Sequence, residues 1–213
     1  MGTKIKEDKL IYIIRHAQTD YNNKNIVQGS GVDSDINEKG RRQAKHFFLK
    51  YKNLGFDKVY VSSLKRSMQS VEHFLYSGIP YESLDLLNEL NWGIYENKII
   101  TPEILVEIEK LKKQWKCGNL SMAPLYGESP EQVVCRLQKA LNYILSKTDE
   151  AKVLICTHKR VFRILLCMIT NLPLSKMNSF KIQNFSLYSF QYLSLSKSFT
   201  MKTNNEMLSE DLL

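Results

Sequence analysis

Leu10-Ile11-Tyr12-Ile13-Ile14 is a run of five apolar residues that ends abruptly in Arg15-His16-Ala17-Gln18-Thr19. A short run so rich in β-branched and aromatic residues reads as a buried strand. In an open α/β sheet, ligands bind at the carboxyl ends of strands, so a fixed cation beside a titratable imidazole at this point is a candidate reaction centre. The same residues equally suit a strand that simply leaves the core at Arg15.

The rest of the chain supplies a setting for this strand. Asp20 to Asp35 is rich in Asn, Gly, Ser and Asp and reads as a long loop, a kind of segment that is usually functional inside a compact domain. Asn37 can cap a helix from Glu38 to about Tyr51, with Ala44, Phe47, Phe48 and Tyr51 as its apolar stripe. Lys58 to Ser62 is a short strand that leads into a helix from about Leu64 to Tyr76. Tyr81 to Glu89 reads as a weaker extended segment, and Asn91-Trp92-Gly93 as a turn. Thr101-Pro102 starts a helix reaching about Trp115, and Ser129-Pro130-Glu131-Gln132 is a capping box for one reaching about Ser146. Lys152 to Thr157 is the clearest strand after the first. His158-Lys159-Arg160 follows it at once, and an apolar helix from Val161 to Thr170 comes next. Ser186 to Tyr192 alternates as an antiparallel strand would, and Ser194 to Leu213 is polar. Strand and helix alternate throughout, which predicts a three-layer α/β/α fold with a mainly parallel central sheet.

The 213 residues suffice for one sizeable core, so one domain over 1–213 is expected, with 1–8 and about 204–213 as its flexible ends. Net charge is +8, which suits an anionic ligand. The basic residues are spread out, with no arginine-rich arm or nucleic-acid module, so no nucleic-acid partner is expected. Cys117, Cys135, Cys156 and Cys167 form no CxxC pair, and three lie in or beside apolar segments. They read as buried reduced thiols, which points to a reducing compartment. Met1 to Lys9 lacks the apolar core of a signal peptide, and no apolar run approaches the ~20 residues of a membrane span. A cytoplasmic protein with no membrane partner is expected; a homodimer stays open as its assembly.

Several motifs fail. Gly29-Ser30-Gly31 lacks the third glycine of a dinucleotide fingerprint, and no GxxxxGK[ST] is present. A calcium loop starting at Asp33 has Glu38 where glycine is needed and Ala44 where the bidentate glutamate belongs. There is no HExxH, and no metal site is expected. His46 and His73 fall on surface helices and are given no role.

One constellation survives. The first strand delivers Arg15-His16, the second leads through Ser62-Ser63 to Lys65 and Arg66, and the strand ending at Thr157 delivers His158. Parallel strands place all three ends on one edge of the sheet. Guanidinium forks match phosphate oxygens, and an unprotonated imidazole can attack phosphorus. Glu89 is the best-placed carboxylate to protonate the leaving oxygen. Each residue alone is ordinary; their convergence points to phosphoryl transfer.

These residues also carry a resemblance. Arg15-His16-Ala17-Gln18-Thr19, Gln28-Gly29 through Asp33 to Glu38-Lys39-Gly40, Ser62-Ser63-Leu64-Lys65-Arg66-Ser67, Leu87 to Gly93, Gly127-Glu128-Ser129 and Val153 to His158 form an ordered set. The set resembles the histidine phosphatase superfamily, also called the phosphoglycerate mutase-like family. The resemblance implies that fold, no cofactor, and a small phosphorylated metabolite as substrate. It implies His16, Glu89 and His158 as catalytic residues, with His16 becoming a phosphohistidine. Arg15, Asn22, Arg66 and His158 would bind the phosphoryl group, and Gln28 and Gly29 would lie in the substrate loop.

Departures from the pattern refine this expectation. Lys159 replaces the family's glycine after the second histidine. It keeps the backbone N–H, adds a charge beside the phosphate, and would be strained by a positive φ. Ile36-Asn37 replaces the usual Leu-Thr, a mild change because Asn also caps helices. The arginines with which true mutases hold a carboxylate are missing after Glu89. Lys110, Lys112, Lys113 and Lys116 stand in that region and read as a solvated helix face. A metal-independent phosphomonoester hydrolase is therefore expected ahead of a phosphoglycerate mutase or a silent phospho-ligand-binding module.

Overall fold

The computed structural model describes residues 8–206. Six strands form one mixed sheet in the order β3-β2-β4-β1-β5-β6. They are β1 (Lys9–Arg15), β2 (Lys58–Val61), β3 (Tyr81–Ser83), β4 (Lys152–Thr157), β5 (Leu187–Leu193) and β6 (Ser198–Glu206). The first four strands are parallel, while β5 runs antiparallel to β1 and β6 antiparallel to β5.

Side chains alternate across the strands and divide the core into two layers. Ile11, Ile13, Tyr60, Val153 and Ile155 face one cluster, to which α5 (Pro130–Ser146) adds Leu137 and Ile144 and α6 (Lys159–Ile169) adds Phe162 and Leu165. Ile14, Val59, Val61, Leu154 and Cys156 face the other, with Ala44 and Phe47 of α2 (Glu38–Tyr51) and Phe74 of α3 (Lys65–Tyr76). Both sheet faces are thus covered, which explains why the inner strands read as nearly continuous apolar runs. A fifth long helix, α4 (Pro102–Lys116), packs Ile108 and Trp115 onto the first cluster.

The local starts are those the sequence encodes. Asn37 accepts the Gly40 N–H, Thr101 accepts the Ile104 N–H, and Ser129 with Gln132 forms the capping box of α5. Three expectations need correction. The loop Asp20–Asp35 contains a one-turn helix, α1 (Asp20–Asn23), held by a capping box between Thr19 and Asn22. The extended segment stops at Ser83, and Asp85–Leu87 coils as a 3-10 turn. Cys135 is exposed on α5, as is Cys117, so only Cys156 and Cys167 are buried thiols; all four are free.

The expected flexible ends fall largely outside the described residues. Within them, Asp8 accepts hydrogen bonds from Gln191 and Ser194, and residues 204–206 belong to β6. No helix among the described residues is long and apolar enough to cross a membrane.

Candidate active site

Register brings the three predicted strand ends together. Arg15 of β1 lies beside Thr157 of β4, and Cys156 of β4 beside Val61 of β2. The ladder continues past the strands, as the His16 N–H donates to the Thr157 carbonyl and the Ser62 N–H to the Cys156 carbonyl. The imidazoles of His16 and His158 consequently sit with centroids 5.1 Å apart.

Hydrogen bonding fixes the proton on each ring. His16 Nδ1 lies 2.7 Å from the Ala17 carbonyl, which can only accept, so Nδ1 carries the proton and Nε2 keeps its lone pair. Burial, then the Arg15 and Arg66 charges, hold His16 well below the usual histidine range, so the ring is neutral at pH 7. His158 is completely buried and accepts from Arg66 Nε at Nδ1 (3.2 Å), so its proton is on Nε2, 2.6 Å from Ser62 Oγ. Burial and Arg66 also push His158 far down.

The two arginines differ in how they are held. Arg66, fully buried, donates to His158, to the Val32 carbonyl and to the Gly29 carbonyl at 3.1 Å. Its helix starts there because Asp33 accepts the Lys65 N–H at 2.7 Å. Gly29 is required by close approach: a Cβ there would meet the Glu96 carboxylate at 1.8 Å and the Leu90 carbonyl at 2.8 Å. Arg15, by contrast, has a buried Nε with no partner. Burial draws both guanidinium groups down to about 10, against the opposing pull of Glu89, and both remain charged at neutral pH.

Glu89 sits at the start of α6. Its Oε1 accepts the Leu90 and Val161 N–H groups (2.9 and 3.2 Å) and its Oε2 accepts that of Arg160 (3.1 Å), which satisfies donors the first helical turn leaves open. Arg136 ties this segment down, forking onto Glu128 (2.9 and 3.0 Å) and donating to the Leu86 and Glu89 carbonyls. Glu128 in turn accepts the Asn91 N–H.

A cavity of about 400 Å³ opens over these groups. Arg15, His16, Asn22, Gln28, Arg66, Glu89 and Lys159 of the expected set line it. Gly29 does not; its carbonyl holds Arg66 from behind. His158 also lies behind the wall. Gln28 pairs its amide with the Thr19 hydroxyl and accepts from Ser34. Asn22 Oδ1 accepts from the Thr19 N–H and from Asn184 Nδ2, which also donates to the His16 carbonyl at 2.8 Å. Lys159 is the first residue of α6 and has no positive φ, so the strain that would follow from replacing glycine does not arise.

Several lining residues were not legible in the sequence. Arg160 and Arg163 enter from α6, and Asn184 from a loop with no pattern. Lys112 faces the cavity, whereas Lys110, Lys113 and Lys116 stay exposed as a solvated face would. An i, i+4 pair of cations at the start of an apolar helix, Lys159 and Arg163, was the available signal.

Comparison with known proteins agrees with this geometry. A profile described as "Histidine phosphatase superfamily (branch 1)" matches residues 11–205, and the chain belongs to that superfamily. It is 28% identical over 178 residues to a protein of Erwinia tasmaniensis named "Probable phosphoglycerate mutase GpmB", covering 83% of this chain and 82% of that one. It is 31% identical over 159 residues to a Schizosaccharomyces pombe protein named as a phosphatase, covering 73% and 70%. Among solved structures, a mycobacterial glucosyl-3-phosphoglycerate phosphatase with bound VO3 superposes with a TM-score of 0.81 at 20% identity, covering 93% of this chain and all of that one. The α/β fold is that of the phosphoglycerate mutase-like histidine phosphatases. Names in the superfamily thus divide between phosphatase and mutase, both acting on phosphate.

Proposed function

We propose that this protein is a phosphomonoester hydrolase that works through a phosphohistidine on His16, needs no metal ion, and acts in the cytoplasm on a small phosphorylated metabolite. The observation that carries this reading is the neutral His16 with its proton on Nδ1, set beside Arg15 and Arg66 in one cavity. The orphaned Nε of Arg15 supports it, since a buried donor without a protein partner suits a phosphoryl oxygen.

In the first half-reaction His16 Nε2 attacks phosphorus, a P–N bond forms and the ester P–O bond breaks. Glu89 acts as the general acid that delivers a proton to the departing oxygen. In the second, Glu89 takes a proton from water, the oxygen attacks phosphorus, the P–N bond breaks and inorganic phosphate leaves. Arg15 and Arg66 stabilise the charge that develops on the equatorial oxygens, with Asn22 Nδ2 as a further donor. His158 holds Arg66 at the site through its Nδ1, from behind the cavity wall.

Hydrolysis of p-nitrophenyl phosphate in excess chelator tests the reading. Turnover by the wild type and none by His16→Ala are expected; equal turnover by the two would overturn it. The mutase-type name of one relative keeps phosphoglycerate mutase as the second reading. A coupled assay on 3-phosphoglycerate separates the two: a hydrolase releases inorganic phosphate, a mutase forms 2-phosphoglycerate.

A further inference from the structure

The cavity carries more positive charge than one phosphoryl group requires. Arg15 and Arg66 already answer a phosphate dianion, yet Lys112, Lys159, Arg160 and Arg163 also line the wall, with Glu89 as the one carboxylate among the lining residues. Lys159 and Arg163 are four residues apart and so share a face of α6. Lys159 and Arg160, in the amino-terminal turn of α6, oppose its macrodipole, which is unfavourable unless something offsets it.

Glu89 at the start of α6 offsets part of this charge, but among the described residues no carboxylate forms an ion pair with Lys159, Arg160 or Arg163. Among the described residues Arg163 donates to neutral acceptors, the Phe180 carbonyl at 2.9 Å and Asn178 Oδ1 at 3.5 Å. Arg160 donates to the same Asn178 oxygen and lies over the rings of Trp92 and Trp115. Lys159 forms no hydrogen bond or ion pair among the described residues. Partial desolvation, and then Arg15, Arg163, Arg160 and Lys112, draw the Lys159 ammonium down to about 8, and Arg163 likewise bears on Arg15. These charges therefore repel one another within the reach of a single small ligand. Lys112 lines the same cavity from α4, with Glu109 as its surface partner at 2.6 Å.

We propose that Lys159 and Arg163 of α6, with Lys112 of α4, form a second anion subsite in this cavity. On the hydrolase reading, which this rests on, the substrate is then a phosphate monoester bearing a second anionic group, a carboxylate or another phosphoryl group, a few bonds from the one transferred. The subsite also supplies what the sequence lacked after Glu89, a group to hold a second anion, from a different element.

Calorimetric binding of two non-hydrolysable ligands at pH 7 tests the subsite without turnover. 3-Phosphonopropionate should bind the wild type at least about tenfold more tightly than propylphosphonate, the worth of one charge-assisted contact. In Arg163→Met and in Lys159→Met, the second an exposed position that leaves the core untouched, the ratio should fall below about threefold. Because the readout is a ratio, a general loss of affinity cancels. Equal binding of the two ligands by the wild type, or an undiminished ratio in both variants, overturns the proposal. Hydrolysis of 3-phosphooxypropanoate and propane-1,3-diol bisphosphate, each relative to propane-1,3-diol monophosphate, then shows whether a carboxylate or a second phosphoryl group is preferred. Discrimination between the phosphonates with no ester hydrolysed would support the subsite and reject the hydrolase reading.

Discussion

The two walls of the cavity use positive charge in opposite ways. On the wall built from strand ends, Arg66 is fully buried and gives three of its five N–H donors to His158, Gly29 and Val32, while both histidines have their tautomers fixed by neighbours. On the wall built from α6, Lys159 is exposed with no hydrogen-bond or ion-pair partner among the described residues, and Arg163 is half-buried with the Phe180 carbonyl and Asn178 as acceptors. Charge tied to protein acceptors fixes geometry before a ligand arrives; charge left without a counter-ion remains available to the ligand. The first arrangement suits a reaction that needs a nucleophile aligned with phosphorus, and the second suits discrimination among molecules that all carry a phosphate.

The largest effect should come from the nucleophile. His16→Ala is expected to lower kcat on any accepted phosphate monoester by about 10⁴-fold or more with the fold intact by circular dichroism. Retained turnover would place the chemistry elsewhere.

Arg66→Ala attacks the tied wall from behind. It strands buried acceptors on His158 Nδ1, Gly29 and Val32, so urea unfolding should show a loss of about 3 kcal/mol along with the loss of activity. Arg66→Lys should not restore either, because one ammonium cannot reproduce a three-way fork. A stable, active alanine variant would mean that this wall is not preorganised through Arg66.

Acid should loosen the same wall. With His16 and His158 held well below the ordinary ~6.5, the unfolded chain binds protons near pH 6 that the folded chain does not. Stability therefore falls as pH drops through 6.5 towards the folded values, by up to about 1.4 kcal/mol per pH unit for each ring. Urea unfolding between pH 7.5 and 5.5 should show this decline, and a shallower one in His16→Ala. Parallel slopes in the two proteins would contradict the buried neutral assignment.

The smallest effect belongs to the other wall. Arg163→Met should leave His16 and its tautomer untouched by NMR and change only which phosphates are preferred, with kcat/KM shifting about tenfold for doubly charged substrates. A comparable loss on singly charged substrates would mean that the two walls are not separate.

Legibility followed the same division. Arg15, His16, Arg66 and His158 were readable because each follows an apolar run whose strand character is strong, and parallel pairing then decides where the ends meet. Glu89 was found by its place at the end of an extended segment, although only Tyr81–Ser83 of it is strand and Asp85–Leu87 is a 3-10 turn. Arg163 and Lys112 were hidden because helix periodicity shows an apolar stripe but not which neighbour covers the polar side. Asn184 and the role of Arg136 depend on loop packing between residues 47 to 168 positions apart, for which no local pattern exists. The final strand was legible only as a polar segment that pairs weakly or is disordered, because β6 is a polar edge whose pairing to β5 is chiefly through backbone, with a Tyr192–Phe199 ring contact.

The most direct test of the central claim is to catch the intermediate. The enzyme is mixed with excess p-nitrophenyl phosphate, quenched within milliseconds in alkaline denaturant, digested and sequenced by mass spectrometry. The account predicts one added phosphoryl group on the imidazole of His16, lost when acidified and absent from His16→Ala. Steady turnover with an unmodified His16 at every quench time, or a phosphoryl group on another residue, would contradict it.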